Sequence, residues 1–262
     1  MDSRPRAVIL DPIAEPLGFR PPMPDRAAIV TGASRGIGLA LAQTLGEEGF
    51  ALTITARKPD PLERAAAELR DRGFEVEAVA ANLADEESIR EVVRRHRARY
   101  DRLDVLVNNA GVGVGAVATE NQAKYVDLQL DVNVRAIILF YRECAELLRI
   151  AGAEHGNALV VNMASIAGKM PDRWLSVYSA TKAAVAAYSL AMNRAFARDG
   201  VKSVAFAPGF VDTDMTDYVK AKVPAERMLR PSDIAEGLRF VLRLSPNCIV
   251  PEIMFQRPDE FA

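Results

Sequence analysis

The stretch that decides the fold is Thr31-Gly32-Ala33-Ser34-Arg35-Gly36-Ile37-Gly38. It joins a short apolar run at 27–31 to a helical stretch over about 36–48, which predicts a turn between a strand and a helix. Glycines in such a turn let backbone amides approach a phosphate closely, and the helix N-terminus favours negative charge. The spacing is G-x-x-x-G-x-G, not the dinucleotide fingerprint G-x-G-x-x-G, and no Gly-Lys-Ser/Thr follows, which excludes a Walker loop here. An ordinary strand–helix turn is the alternative.

Apolar runs and helical stretches alternate along the rest of the chain. Strands are predicted at 27–31, 50–56, 75–80, 104–107, 158–163, 202–207 and 248–255. Helices are predicted at about 36–48, 62–72, 86–99, 177–198 and 232–244, with a long helical region after the fourth strand up to about 150. Strands that repeat with intervening helices predict an α/β fold with a single doubly wound parallel sheet, the Rossmann fold, and helices on both faces.

No linker or internal repeat divides residues 26–262, which predicts a single domain. Residues 1–25 contain six prolines, a density that opposes regular structure. This segment is expected to be an arm lying on the surface or on a partner subunit, or else a disordered tail.

Composition excludes several function classes. The formal net charge is -2, so no overall positive charge attracts the protein to nucleic acid or anionic lipid. Half of the residues, 50%, are hydrophobic, which is typical of a globular protein. The two cysteines have no paired spacing, which argues against a disulfide framework or a zinc site, and no metal is expected. Neither a secretory signal nor an apolar stretch long enough to span a bilayer is visible, so a cytoplasmic protein without a membrane partner is expected.

The end of the second predicted strand indicates which dinucleotide binds. An NAD site usually places Asp or Glu there to bind the ribose hydroxyls, but this strand ends Thr55-Ala56-Arg57-Lys58. Arg35 in the glycine turn adds a third cation. A guanidinium binds a 2′-phosphate in a bidentate manner and a carboxylate would repel it, so the residues predict NADP(H) in preference to NAD(H). The alternative is that Arg57 and Lys58 only face solvent.

Four polar residues in the second half of the chain are candidates for catalysis. Tyr178 and Lys182 stand four apart in the segment Y-S-A-T-K at the start of a predicted helix, so both lie on one face. A nearby ammonium lowers the pKa of a phenol from about 10, which makes tyrosine a usable general acid or base. Ser165 follows the fifth strand, where its hydroxyl can bond a substrate oxygen or only cap a turn. Asn133 is a poor mid-helix residue, which indicates a side-chain bond or a held water.

The order of these motifs is more specific than any one of them. The sequence resembles the classical subgroup of the short-chain dehydrogenase/reductase family over about residues 26–245, and its 3-oxoacyl-[acyl-carrier-protein] reductase-like members in particular. Besides the four residues above, the matching motifs are T-G-x-x-x-G-x-G at 31–38, N-N-A-G at 108–111 and P-G at 208–209.

The resemblance implies a catalytic tetrad of Asn133, Ser165, Tyr178 and Lys182. In the reducing direction, Tyr178 gives a proton to the developing alkoxide and Ser165 holds that oxygen. Lys182 lowers the pKa of the tyrosine and binds the nicotinamide ribose, and Asn133 holds a water that relays protons. The residues implied to contact the cofactor are Gly32, Ser34, Arg35, Gly36, Ile37, Gly38, Arg57, Lys58, Asn82, Leu83, Asn109, Ala110, Gly111, Tyr178, Lys182, Pro208, Gly209, Val211 and Thr213.

Three features depart from the family pattern. Asn82-Leu83 replaces the Asp-Val or Asp-Leu that touches adenine, and an amide can still form hydrogen bonds there. The usual glycine-rich C-terminal segment is missing, which puts the common tetramer contacts in doubt, and the proline-rich arm is extra. Family members often pair through two long helices, here about 120–150 and 177–198, and the four alanines within 183–187 permit close approach unless they face the sheet. A homodimer or homotetramer is expected.

Three functions are compatible with these residues. The first is an NADP(H)-dependent reductase of a ketone or 3-oxoacyl group. The second is an NAD-linked alcohol dehydrogenase working oxidatively, and the third is a dinucleotide-binding regulator without turnover, against which the intact tetrad argues. A small carbonyl or alcohol compound is the expected substrate.

A mostly apolar set of side chains is suited to an aliphatic or ring ketone, or else to core or subunit contacts: Ile166, Met170, Trp174, Met215 and Tyr218. The stretch 213–230 is expected to be a mobile lid.

Overall fold

The computed structural model describes residues 25–260. Its strands are β1 (Ala27–Thr31), β2 (Ala51–Ala56), β3 (Val76–Ala80), β4 (Val105–Asn108), β5 (Ala158–Met163), β6 (Val201–Pro208) and β7 (Glu252–Phe255). They form one parallel sheet in the order β3-β2-β1-β4-β5-β6-β7. The predicted doubly wound sheet is confirmed, and strand order reverses between β1 and β4. The proline-rich arm predicted for 1–25 lies, apart from Asp25, outside the described residues.

Helices cover both faces of this sheet. They are α1 (Gly36–Glu47), α2 (Pro59–Asp71), α3 (Glu86–Tyr100), α4 (Ala123–Leu130), α5 (Ala136–His155), α6 (Ser176–Phe196) and α7 (Pro231–Leu242). Side chains of α1, α2 and α7 share one hydrophobic core with the sheet, and those of α3 and α5 share another. The helix α6 packs beside α5, against β5 and β6.

The strands are apolar on both sides because both sides are covered. Successive side chains of a strand point to opposite faces. Val30 and Ile54 therefore join the core under α1 and α2, while Ile29 and Leu106 join the core under α3 and α5. This arrangement explains why the predicted strands are continuous apolar runs and do not alternate with polar residues.

Three element boundaries differ from the sequence predictions by more than the usual fraying. The helix α2 begins at Pro59, not at 62, because proline suits the first turn of a helix. The long helical region after β4 is two helices, α4 and α5, joined by the π-helical turn Asp131–Arg135. The final strand begins at Glu252, not at 248, because Cys248 closes a turn onto the carbonyl of Ser245.

One face of the helix α6 exposes small and apolar side chains, which bears on assembly. Ala183, Ala184 and Ala187 are exposed on α6, so these three alanines do not face the sheet. Leu190, one turn further along the same helix, is 44% exposed.

No helix within residues 25–260 combines the length and the apolar character that crossing a membrane requires.

Candidate active site

The turn between β1 and α1 is so tight that three of its positions disfavour any residue but glycine. Gly32 and Gly36 have positive φ angles of 67° and 57°, a conformation that disfavours other residues. A Cβ on Gly38 would lie 2.3 Å from the carbonyl oxygen of Gly32. No side chain caps the first turn of α1, so its amides are available to an anion. The other predicted members of the turn are half-buried Ser34 and Ile37 and exposed Arg35.

The loop after β4 holds this turn in shape. The Asn109 Nδ2 donates hydrogen bonds to the carbonyl oxygens of Thr31 at 2.9 Å and Gly32 at 3.2 Å. In return, the Thr31 Oγ1 accepts from the backbone N–H groups of Asn109 and Ala110, each at 3.0 Å. The predicted cofactor residues of β1 and β4 therefore form one hydrogen-bonded unit.

The loop after β6 lies over the same turn. Pro208 ends β6, and Gly209 follows with its N–H bonded to the last strand. Val211 is buried, and the Thr213 methyl group lies so close to Gly36 that a Cβ on that glycine would be 3.1 Å from it. The structure thus brings this segment, whose residues the family resemblance implies to contact the cofactor, next to the glycine turn.

The end of β2 carries no acid, in agreement with the sequence. Arg57 and Lys58 are exposed there, and no ion pair joins either of them to another residue of the described chain. After β3, Leu83 is buried and Asn82 is exposed, with its Oδ1 accepting a 3.4 Å hydrogen bond from the N–H of Ala84.

Arg35 has a partner that the sequence did not predict. Its guanidinium forms an ion pair with Asp214, in the loop after β6, and both side chains are exposed. This carboxylate competes with any anionic ligand for Arg35.

Tyr178 and Lys182 occupy the first two turns of α6. As predicted, they share a helical face, and the Lys182 Nζ lies 5.5 Å from the centre of the Tyr178 ring. The same Nζ donates a 2.6 Å hydrogen bond to the carbonyl of Met163 at the end of β5. A Cβ on Gly111 would come within 3.4 Å of it from the loop after β4. The ammonium is therefore held between α6, β5 and that loop.

Burial is the main influence on the pKa of the Tyr178 phenol. The sequence predicts that Lys182 lowers the pKa of Tyr178, but burial raises that pKa to about 12, against a hydrogen bond with Ser165 that lowers it. The Lys182 ammonium bonds the Met163 carbonyl, and its effect on the Tyr178 pKa stays a prediction. Burial also lowers the pKa of Lys182 to about 8. The phenol is protonated at neutral pH and is available as a general acid.

Ser165 has the capping role, one of the two that the sequence left open. Its Oγ accepts a 3.2 Å hydrogen bond from the N–H of Ala167, which caps the short turn after β5. The hydroxyl donates to the carbonyl of Pro208 at 3.3 Å, and Ser165 also acts to lower the pKa of the Tyr178 phenol. Its other role, bonding a substrate oxygen, stays a prediction.

Asn133 lies in the π-helical turn and is fully buried. Such turns are frequent at functional sites. Its side-chain amide clamps the backbone of Val112, accepting from the N–H and donating to the carbonyl, both at 2.8 Å. Its Nδ2 also donates to Thr181 Oγ1 at 3.1 Å. The side-chain bond predicted for this residue is confirmed, whereas the proton relay implied by the family stays a prediction.

The predicted pocket residues lie in the segments that follow β5 and β6. Met170, Trp174, Met215 and Tyr218 are each at least 50% exposed, which excludes core packing as their role. Ile166 is half-buried.

Two glycines that the sequence analysis did not single out line the same space. A Cβ on Gly113 would lie 3.4 Å from the Tyr178 ring, and one on Gly115 would lie 2.0 Å from the Trp174 Nε1. The sequence does carry a signal for them, because glycines recur at every second position, 111, 113 and 115, shortly after a predicted strand.

Comparison of the sequence with known proteins identifies the family. A family model described as short chain dehydrogenase matches residues 26–224. The chain belongs to the short-chain dehydrogenase family. An uncharacterised oxidoreductase of Staphylococcus saprophyticus is 30% identical to it, over 87% of this chain and 96% of the relative.

Solved structures of this family superpose closely on the chain. An alcohol dehydrogenase from the archaeon Thermococcus sibiricus, complexed with 5-hydroxy-NADP, is 30% identical with a TM-score of 0.79, covering 89% of this chain and 98% of that one. A 3-ketoacyl-(acyl-carrier-protein) reductase from Brucella melitensis, complexed with NADH, is 26% identical with a TM-score of 0.78, covering 88% and 97%. This protein is accordingly an oxidoreductase of the short-chain dehydrogenase family that acts on CH–OH or C=O groups with a nicotinamide dinucleotide.

Proposed function

We propose that this protein is an NADPH-dependent ketone reductase in which Tyr178 is the general acid. The observation that carries the proposal is the convergence of Tyr178, Ser165 and Lys182 at the carboxyl edge of the sheet, beside a glycine turn with uncapped helix amides. Ligands of open parallel sheets bind at this edge, where strand order reverses.

The residues around the glycine turn fit a dinucleotide. Gly32 and Gly36 leave the backbone open to a pyrophosphate, and the first amides of α1 have no competing side-chain cap. At the end of β2, Arg57 and Lys58 occupy the position where an acid would bind ribose hydroxyls. Cations at this position support NADPH over NADH, because the 2′-phosphate adds negative charge.

Each side chain of the site has its own role in the reduction of a ketone. When bound, a nicotinamide would supply the hydride that a carbonyl carbon accepts. Tyr178 donates its phenolic proton to the carbonyl oxygen as negative charge develops there, and its raised pKa keeps that proton bound until then. Ser165 holds the same oxygen, and Lys182 stabilises the phenolate that remains. Asn133 positions Val112 and, through Thr181, the helix that carries the tyrosine.

The mouth of the site supports an apolar ketone as substrate. Met170, Trp174, Met215 and Tyr218 are apolar or aromatic and are exposed where the loops after β5 and β6 meet. Side chains of this kind favour an aliphatic or ring ketone over a highly charged one.

A binding titration tests the cofactor preference. NADPH and NADH are titrated separately while nicotinamide fluorescence is followed, with wild type, Arg57→Ala and the control Arg198→Ala. The control removes an exposed arginine at the opposite edge of the sheet, just before β6. We expect tighter binding of NADPH, and about tenfold weaker NADPH binding in Arg57→Ala only, the loss of one charge-assisted contact. Equal affinity of wild type for both cofactors would contradict the NADPH preference and leave the reductase proposal standing.

An activity assay tests the catalytic proposal. Oxidation of NADPH is followed with a panel of aliphatic, ring and 3-oxoacyl ketones, for wild type, Tyr178→Phe and Tyr188→Phe. Tyr188 lies on the same helix but packs against Tyr141, away from the site. We expect at least about a hundredfold loss in Tyr178→Phe, the usual contribution of a general acid, and near wild-type rates in Tyr188→Phe. Full activity in Tyr178→Phe would refute the mechanism.

We also propose that two copies associate through α5 and α6. The exposed stripe of Ala183, Ala187 and Leu190 supports this, because small and apolar residues permit close helix approach. Sedimentation velocity at micromolar concentration is expected to show at least a dimer, and Ala183→Arg is expected to dissociate it. A strict monomer in wild type would contradict the association.

A further inference from the structure

A chain of buried polar side chains runs through the core directly behind the candidate site. The Asn108 Nδ2 donates to the Asn162 Oδ1 at 2.8 Å, and the Asn162 Nδ2 donates to the Ser189 Oγ at 2.9 Å. The Ser189 hydroxyl donates in turn to the carbonyl of Val185 at 2.9 Å. The exposed fraction of Asn108 is 2%, and Asn162 and Ser189 are fully buried.

The directions of these hydrogen bonds are mutually dependent. A carbonyl can only accept, so the single hydroxyl proton of Ser189 is committed to Val185, and Ser189 must accept from Asn162. The Asn162 amide therefore presents its oxygen toward β4, where Asn108 donates to it. Because buried amides without partners are costly, this arrangement favours one alignment of β4, β5 and α6 over its neighbours.

Each member of the chain stands next to a group of the candidate site. Asn108 precedes Asn109, which holds the glycine turn. Asn162 precedes Met163, the residue whose carbonyl accepts the 2.6 Å hydrogen bond from Lys182. Ser189 lies on α6 seven residues after Lys182, which is two helical turns along the same face. Asn108 and Asn162 are also direct register partners in the sheet.

We propose that Asn162 is a positioning residue for the reaction: with Ser189 it holds the end of β5 against α6, so that the Met163 carbonyl keeps the Lys182 ammonium in its working position. This inference rests on the proposed function, because it assumes that Lys182 acts on Tyr178. Within the described residues the Asn162 side chain bonds Asn108 and Ser189, not Lys182 or Tyr178, so it acts through the backbone that it aligns.

The carbonyl of Met163 matters because Lys182 is buried. An ammonium away from water depends on the acceptors that the protein gives it, and burial already lowers its pKa to about 8. If β5 shifts relative to α6, the hydrogen bond from Nζ to Met163 lengthens and the charged form of Lys182 is disfavoured further. A displacement of about 1 Å at a catalytic group is enough to cost on the order of a hundredfold in rate.

The test compares two variants that interrupt this series of hydrogen bonds with a matched control. Asn162→Ala removes the central amide, and Ser189→Ala removes only one oxygen atom. Asn193→Ala is the control: this amide is also buried and joins α6 to β6 by two 2.7 Å hydrogen bonds with the backbone of Ser203. Lys182→Ala is assayed in parallel. Circular dichroism and urea unfolding report folding and stability of every variant.

Three readouts separate positioning from a purely structural role. For Asn162→Ala and Ser189→Ala we expect kcat to fall about tenfold or more while KM for the ketone changes less than about threefold. The basic limb of the pH–rate profile should move to lower pH. The 13Cε resonance of Lys182 should titrate at lower pH in the same variants, a measurement that needs no turnover. Asn193→Ala should lose comparable stability and change none of these three.

The outcomes are distinguishable. If Asn162→Ala and Ser189→Ala fold but match Asn193→Ala in kcat, pH profile and lysine titration, the inference is refuted and the proposed function stands. If Lys182→Ala keeps wild-type activity, the role proposed for Lys182 fails and the inference fails with it; if wild type reduces no ketone of the panel, the proposed function itself fails. If Asn162→Ala does not fold, the milder Ser189→Ala decides the question by the same three readouts.

Discussion

Acid should destabilise this protein through one buried histidine, His96 of α3. Its Nδ1 lies 2.8 Å from the Thr53 Oγ1, and its Nε2 lies 2.8 Å from the carbonyl oxygen of Arg102. Because a carbonyl only accepts, Nε2 carries the hydrogen, and Nδ1 accepts from the Thr53 hydroxyl. Burial lowers the pKa of this neutral imidazole from 6.5 to about 4, although the carbonyl of Arg102 and the charge of Asp104 act in the opposite direction.

The sign and size of the effect follow from this pKa. The unfolded chain takes up a proton at His96 near pH 6.5, whereas the folded protein resists protonation down to about pH 4. The stabilisation is therefore complete above pH 6.5 and is lost as pH falls from 6.5 toward 4. At about pH 4.5 the loss is roughly 2.5 kcal/mol. That is a large share of the roughly 5–15 kcal/mol by which a domain is usually stable.

Urea unfolding at several pH values between about 7.5 and 4.5 measures this loss. The variant His96→Gln removes the titration but keeps one donor and one acceptor for Thr53 and Arg102. Wild type should lose roughly 2.5 kcal/mol more than the variant over this pH range, beyond the changes that both share. Parallel pH dependence in the two proteins would refute the reasoning, whatever their stabilities at neutral pH.

Three further substitutions have expected outcomes. Gly38→Ala should abolish binding of a nicotinamide dinucleotide in a fluorescence titration, because its Cβ would lie 2.3 Å from the Gly32 carbonyl oxygen; binding at wild-type affinity would show that the turn yields easily. Asp214→Asn removes the carboxylate that pairs with Arg35, so NADPH should bind about two- to fivefold more tightly, and an unchanged affinity would mean that the exposed pair does not compete. Asp104→Ala leaves Arg102, His155 and the backbone N–H of Ala27 without their shared acceptor. Urea unfolding should therefore show that the free energy of unfolding falls by about 3–5 kcal/mol; a fall of less than about 1 kcal/mol would contradict this.

Much of the candidate site was predictable because its signals are local. The glycines of the turn are required by backbone conformation and by contacts within a few residues, which the spacing G-x-x-x-G-x-G already encodes. Tyr178 and Lys182 share a face because helical geometry alone places residues four apart on one side. Asn133 was unusual for a helix interior, and its side chain indeed makes hydrogen bonds across the fold.

The partners of these residues were not predictable. Nothing near Lys182 in sequence indicates that Met163 would accept its hydrogen bond, nor that Asn133 would clamp Val112. Arg35 and its ion-pair partner Asp214 are 179 positions apart. Such pairs depend on strand order and register, which are properties of the assembled sheet.

The amino-acid sequence by itself determined the alternation of strands and helices, the glycine turn and the spacing of tyrosine and lysine, since these follow from the periodicity and conformational preferences of neighbouring residues. Tertiary structure alone decided how those groups behave. It buried the Tyr178 phenol and raised its pKa to about 12. It also placed Asn162 between β4 and α6. The physical reason is that desolvation and hydrogen bonding between distant segments depend on which surfaces meet, and those surfaces exist only once the sheet and its helices have packed.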